Sequence, residues 1–401
     1  KKLVKYPGSG ENICIVGDDA HSIYAFRGAT IDNILDFGKD FANLQTFKLE
    51  QNYRSGKFIV NAANNVITNN LKQIKKEIWT SQPDSSKIGM VRALSDSEES
   101  RKVVDAIFEH KNRNHIPNAE IAILYRTNAQ SRGFEEQLRR ANIPYKIYGG
   151  MSFYQRKEIK DLIAYFRLVV NPKDEEGFRR IVNFPKMGVG DTSIDRLFAY
   201  ASENEKTFWD AIDDNILPAK AQSTISEFKK MIVALNHYSE QHPADQTANM
   251  IFQKSGLAIA LKADNTIEGM GRLENVNSLL DGIKEFVEND EELLDEDGEV
   301  ILERGTSMVD YLQSISLITD FDQKEDSNDH VNLMSVHSAK GLEFDSVFVV
   351  GLEEQLFPSF LSLKSEAEID EERRLFYVAI TRARKMLTLT YATSRYQYGK
   401  V

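Results

Sequence analysis

A single cysteine, Cys14, stands in the 401 residues, and it falls in an apolar run that reads as a strand. That excludes a disulfide framework and a thiolate metal site. No apolar run approaches the length of a membrane span, and the opening KKLVKYPGSGEN has no signal-peptide core. The expected location is therefore cytoplasmic, with no membrane partner. The sequence also lacks the phosphate-cradling pattern G-x-x-x-x-G-K-[ST]. Ser55-Gly56-Lys57-Phe58 has no hydroxyl residue after Lys57 and has Gln51 where the first glycine belongs, while Pro7-Gly8-Ser9-Gly10 has no lysine behind it. No residue set reads as a metal site.

What is present suits a packed protein of two to three domains: 41% of residues are hydrophobic and 28% charged. The net charge of -11 does not exclude a polyanionic partner, because phosphate contacts are local and screened beyond about 8 Å at physiological salt. Much of the acidity sits in EFVENDEELLDEDGE, Glu285 to Glu299. Cations cluster at Lys72, Lys75 and Lys76, at Arg139 and Arg140, at Arg179 and Arg180, and at Arg382, Arg384 and Lys385. Taken singly, such pairs are usually solvated helix faces.

Apolar runs released into polar turns recur along the chain. Asn12 to Val16 ends in Gly17-Asp18-Asp19, Thr46 to Leu49 in Glu50-Gln51-Asn52-Tyr53-Arg54, Asn332 to Val336 in His337-Ser338-Ala339-Lys340-Gly341, and Ser346 to Leu352 in Glu353-Glu354. Each reads as a short buried strand entering a loop. Gly89 to Leu94, a helix over Glu98 to Lys111, and Ile121 to Leu124 continue an α/β alternation that closes at Ile147-Tyr148-Gly149-Gly150. Helices are expected at Phe58 to Asn69 and almost throughout Arg156 to Leu317, as in IKDLIAYFRLVV and SEFKKMIVALNHY. Strands resume at Val331, and a helix over DEERRLFYVAITRAR ends on arginines. In open α/β sheets, polar residues past the carboxyl ends of strands line the ligand crevice, so His337, Lys340, Glu343 and Arg382 are candidates for function. Tyr24 and Phe26 alternate beside Arg27, which puts two aromatics next to a cation, a combination that suits stacked bases.

VGDDAHSIYAFRGA, LEQNYRS, VHSAKGLEFD and YVAITRAR resemble, in order, the later motifs of superfamily 1 helicases of the UvrD/Rep/PcrA type. The resemblance covers nearly the whole chain. It implies the carboxyl-terminal part of a helicase: residues 1–56 ending a first RecA-like motor domain, 57–154 and 325–401 forming a second RecA-like parallel-sheet motor domain, and 155–324 an α-helical insert. It implies an ATP-dependent 3′-to-5′ DNA helicase binding single-stranded and duplex DNA, with protein partners left open. ATP and Mg²⁺ are the implied ligands, the Mg²⁺ contacts and the phosphate loop lying ahead of Lys1, so the chain by itself is expected not to hydrolyse ATP. A non-catalytic binding module with decayed motor motifs and the helicase part of a helicase–nuclease are the alternatives.

Individual roles follow from the same resemblance. Arg54 and Arg382 would stabilise charge on a transferring γ-phosphate, as fixed guanidinium forks can. Residue-level chemistry leaves a second reading for Arg382, the capping of its own helix end. Tyr53 would stack on adenine and Glu343 would accept from ribose hydroxyls. His21 stands where the family usually has glutamine, and a histidine keeps one donor but lacks the two-ended amide. Tyr24, Phe26 and Arg27 would contact single-stranded DNA, and Arg126, Asn128, Ser131 and His337 the DNA backbone. Gly188 and Gly190 would present backbone N–H groups to a duplex phosphate at a helix start.

Overall fold

The computed structural model describes residues 14–24, 31–40, 44–83, 86–288, 293–294, 300–302, 305–319 and 329–395. Six strands form its main sheet: β1 (Gly89–Ala93), β2 (Ile121–Tyr125), β3 (Tyr145–Tyr148), β4 (Val331–Ser335), β5 (Phe344–Val349) and β6 (Ala383–Ala392), in the order β1-β6-β5-β2-β4-β3. The non-sequential order demands crossovers, and β2 and β6 both run parallel to β5. The fold is mixed α/β around a parallel-strand sheet, the class expected from the alternating pattern.

Two compact units divide the chain: residues 1–92, 107–126 and 334–392 form one, and residues 93–106, 127–333 and 393–401 the other. In the first, β2 registers Ile121, Ala122, Ile123 and Leu124 against Ser346 to Val349 of β5. β2 is apolar and buried throughout because both faces of a parallel sheet are covered. The helix Lys57–Ile67 turns Ile59, Val60, Ala63 and Ile67 inward, and the helix Glu366–Ile380 buries Leu375, Val378 and Ala379. In the second unit, helices between Lys157 and Thr319 enclose one apolar core, in which Phe178 meets Phe198, Phe208 and Phe228 ring to ring. Helices Lys157–Val170 and Ala219–Ser239 carry the two 3.6-periodic patterns. A short antiparallel pair, Leu293–Leu294 with Val300–Leu302, interrupts the helical run.

The two earliest expected strands do not form. Cys14 to Val16 has no regular structure, Cys14 is exposed, and Val16 is 89% exposed; Asn12 lies outside the described residues. Thr46 to Leu49 is likewise irregular, with Phe47 83% and Leu49 85% exposed. An apolar run becomes a buried strand only with neighbours to pair with. Here the first pairing after Leu49 is the two-residue parallel contact of Gln51–Asn52 with Trp79–Thr80. The last helix stops at Ile380, with Thr381 as its C-cap, so Arg382 lies past its end.

Candidate functional site

The segment Gln51 to Gly56 is folded by one side chain. Asn52 Oδ1 accepts from the backbone N–H groups of Arg54 and Ser55, both at 2.8 Å, an Asx turn that lifts Tyr53 and Arg54 away from the sheet. The buried Ser55 Oγ donates to Ala383 O at 2.6 Å, and Gly56 N donates to Arg384 O at 3.2 Å. Strand β6 therefore anchors the turn. Its ladder helps: Ala383 pairs with Phe344 and Met386 with Ser346, so Arg384 and Lys385 together oppose Asp345. Such a β-bulge frees backbone groups from the ladder and re-aims side chains. Both cations reach the same carboxylate, Arg384 Nε and Lys385 Nζ each at 2.7 Å from Asp345.

From that turn Arg54 reaches Glu343, its Nε 2.5 Å from Oε2, while its Nη1 donates to Thr381 O at 3.2 Å. The Arg54 hydrogen bond outweighs burial and holds the Glu343 carboxyl below the usual range, with Arg384 adding to it. Gly341, at φ +95°, makes the bend that brings Glu343 round. Tyr53 is 70% exposed, its hydroxyl held by Gln51 at 2.7 Å.

Arg382 is 2% exposed and donates in four directions: to Val378 O at 2.9 Å, Leu342 O at 3.1 Å, the Thr381 hydroxyl at 3.0 Å and His21 Nε2 at 3.2 Å. Burial, then the neighbouring Arg54 charge, lowers its pKa to about 10, so it stays protonated at neutral pH. It both closes the carbonyl of its own helix end and faces Arg54 across Thr381. A guanidinium only donates, so His21 Nε2 is the acceptor; its Nδ1, 2.7 Å from Asp18 Oδ2, then carries the hydrogen. Burial raises the Asp18 carboxyl, but bonds from His21 and Lys76 outweigh it and hold that group far below the carboxylate range. The neighbouring loop is tied in as well. Lys340 Nζ donates to His21 O at 2.8 Å and lies 4.9 Å from the centre of the Tyr24 ring, whose hydroxyl donates to His337 O.

Arg54, Arg382, Glu343, Tyr53 and His21 are thus gathered within the first unit. Phe26 and Arg27 lie outside the described residues. Arg126 is gripped by both oxygens of the buried Glu372, at 2.7 to 3.1 Å. In the second unit Asn128 is exposed, and Ser131 is fully buried between Glu135 and Arg156. A buried hydroxyl holding that internal network is not placed to meet a DNA backbone. The Gly188 amide departs from expectation too. Gly188 is in the left-handed region, yet the N–H groups of Met187, Gly188 and Val189 all turn onto Asn183 Oδ1, at 3.0 to 3.3 Å. Those amides hold the turn together.

The residues missed from sequence are the supports: Asn52, Asp18, Thr381, Asp345 and Asn183. Asp18 and His21 carry an i, i+3 spacing that could have signalled the pair; the others carry no signal short of the fold.

The family described as the UvrD-like helicase C-terminal domain matches residues 47–394. The chain belongs to the UvrD-like helicase family. The UvrD/REP helicase N-terminal domain matches residues 2–42. Among curated proteins, the chain is 42% identical to the ATP-dependent DNA helicase PcrA of Staphylococcus aureus strain MRSA252 over 395 residues, 97% of this chain and 52% of that protein. It is 41% identical over the same spans to the PcrA of Staphylococcus epidermidis strain ATCC 12228. The chain spans about half the length of the curated relatives it matches.

Proposed function

We propose that this chain carries the ATP-closing motor domain and the duplex-engaging insert of an ATP-dependent DNA helicase that moves 3′ to 5′ along single strands. Residues 57–154 and 325–401 would be that motor domain, residues 155–324 the insert, and residues 1–56 the end of the preceding motor domain. The observation that carries this reading is the convergence of Arg54 and Arg382 on Thr381, one through its carbonyl and the other through its hydroxyl.

The residues suit a nucleoside triphosphate. Two guanidiniums offer planar donors to phosphate oxygens, Glu343 offers an ionised acceptor to ribose hydroxyls, and Tyr53 offers an exposed ring to a base. ATP, with Mg²⁺ bound to it, would supply the phosphoryl group that the arginines stabilise. His21 holds Arg382 from one side, and Lys340 holds His21 by its carbonyl. Movement of Arg382 would therefore reach the Tyr24–His337 loop proposed to touch DNA. Arg126, Asn128, Phe26 and Arg27 are the further DNA contacts proposed.

The test is ATP hydrolysis by the full-length protein with and without single-stranded DNA, and strand displacement on 3′-tailed and 5′-tailed duplexes. DNA-stimulated hydrolysis with unwinding from 3′ tails is expected. Unwinding from 5′ tails alone would overturn the polarity, and hydrolysis indifferent to DNA would overturn the motor.

A further inference from the structure

Arg384 stands two residues beyond Arg382 and touches three carboxylates: Asp345 Oδ1 from Nε at 2.7 Å, Glu120 from Nη2, and Glu343 Oε1 from Nη1 at 3.4 Å. Two of these contacts fix it in place. Asp345 opposes it across the bulge, and Glu120 precedes β2, so the guanidinium is anchored to two strands before it meets Glu343. Glu343 is meanwhile occupied on its other oxygen by Arg54. One carboxylate thus lies between two guanidiniums, one mobile in the proposed mechanism and one anchored.

We propose that Arg384 is a positioning residue for ribose recognition: it keeps Glu343 aimed when Arg54 leaves it for the γ-phosphate. This rests on the reading of Glu343 as the ribose acceptor. Without a second guanidinium, departure of Arg54 would leave Glu343 a half-exposed carboxylate on a glycine-hinged loop, free to turn to water. With Arg384, one oxygen stays held and the other becomes open as Arg54 withdraws. Glu343 then serves in turn as the resting place of Arg54 and as the acceptor of a sugar hydroxyl. Nucleotide entry exchanges one partner for the other.

The experiment compares ATP with 2′,3′-dideoxy-ATP, which lacks both hydroxyls, in single-strand-stimulated hydrolysis by the full-length protein. Arg384→Gln should raise KM for ATP about tenfold with kcat within about twofold, and leave KM for the dideoxy nucleotide unchanged, so the preference between them collapses. Arg384→Lys, which keeps the charge but loses the fork, should recover part of the preference. Lys385→Gln shares Asp345 but not Glu343, and should leave the preference intact. Glu343→Gln should collapse the preference as Arg384→Gln does. If Glu343→Gln collapses it and Arg384→Gln does not, or if Arg384→Gln shifts both KM values equally, the positioning role is overturned while Glu343 keeps its assignment. If Glu343→Gln leaves the preference untouched, the ribose reading itself falls, and the role of Arg384 with it.

Discussion

His21 Nε2 lies 3.2 Å from a guanidinium nitrogen of Arg382, a contact closed across 361 residues of chain. Because the imidazole accepts there, its hydrogen points to Asp18, and the three residues form a line from carboxylate to arginine. A glutamine could offer an amide oxygen to Arg382 and an N–H to Asp18 in the same line. Histidine performs the same two-ended task with a rigid ring, which Tyr377 backs edge-on.

Replacing Arg382 or Arg54 with lysine keeps the charge and removes the fork. In Arg382 one ammonium cannot replace donors aimed at Val378, Leu342, Thr381 and His21. In the full-length protein kcat should fall about a hundredfold or more while single-strand affinity changes little. Steady-state hydrolysis paired with fluorescence anisotropy checks this; parallel losses in both would mark the arginines as structural.

Asp18 supplies a pH dependence whose sign is fixed. Its folded pKa lies below the unfolded value of about 4, so its contribution is present above that value and fades as pH falls through the folded one. Asp18→Asn should lose about 0.5–1 kcal/mol at pH 7, the carboxylate being partly exposed, and progressively less as the pH is lowered below about 4. Denaturant unfolding at pH 7 and pH 3 measures the gap, which should narrow in acid.

Glu372 holds Arg126 with both oxygens while also accepting from Ser359 N and Ser362 Oγ. If Arg126 meets DNA phosphate, the two acceptors compete. Glu372→Gln should then tighten single-strand binding several-fold at low salt and steepen its salt dependence by about one phosphate contact. An unchanged salt slope would remove Arg126 from the DNA surface.

Asn183→Ala strips the acceptor from three consecutive amides of the glycine turn. The expected cost is about 1–3 kcal/mol, seen as a lowered Tm, with Asn183→Asp restoring most of it. Duplex affinity should drop in the alanine variant while single-strand-stimulated hydrolysis survives. Loss of both together would make the insert a folding element of the motor.

Much of the first unit was legible because its central strands are largely apolar and its loops punctuated by polar residues, as at Val336-His337 and Tyr125-Arg126. The pattern misled where it lacked context. Asn12 to Val16 and Thr46 to Leu49 have strand composition, but a strand is a property of pairs, and one segment does not encode its neighbour. Arg382 was readable as a candidate, yet its burial and its tie to His21 depend on contacts hundreds of residues away. Ser131 shows the opposite limit. A serine after a strand is equally compatible with a phosphate contact and with a buried hydroxyl, and only Glu135 and Arg156 decide between them.

The extra residue opposite Asp345 makes this one place where the chain's length could change without disturbing the sheet. Deleting Lys385 would bring Arg384 alone against Asp345 and leave Met386 beside Ser346, so every later pair of β5 and β6 would keep its partner. What would vanish is the irregularity whose carbonyls hold Gly56 and Ser86. Homologues that differ by one residue here should keep the sheet yet carry a differently moored Tyr53–Arg54 turn. The residue count between Arg382 and Met386 is thus a reading of how the Tyr53–Arg54 turn is hung, independent of the motif letters themselves.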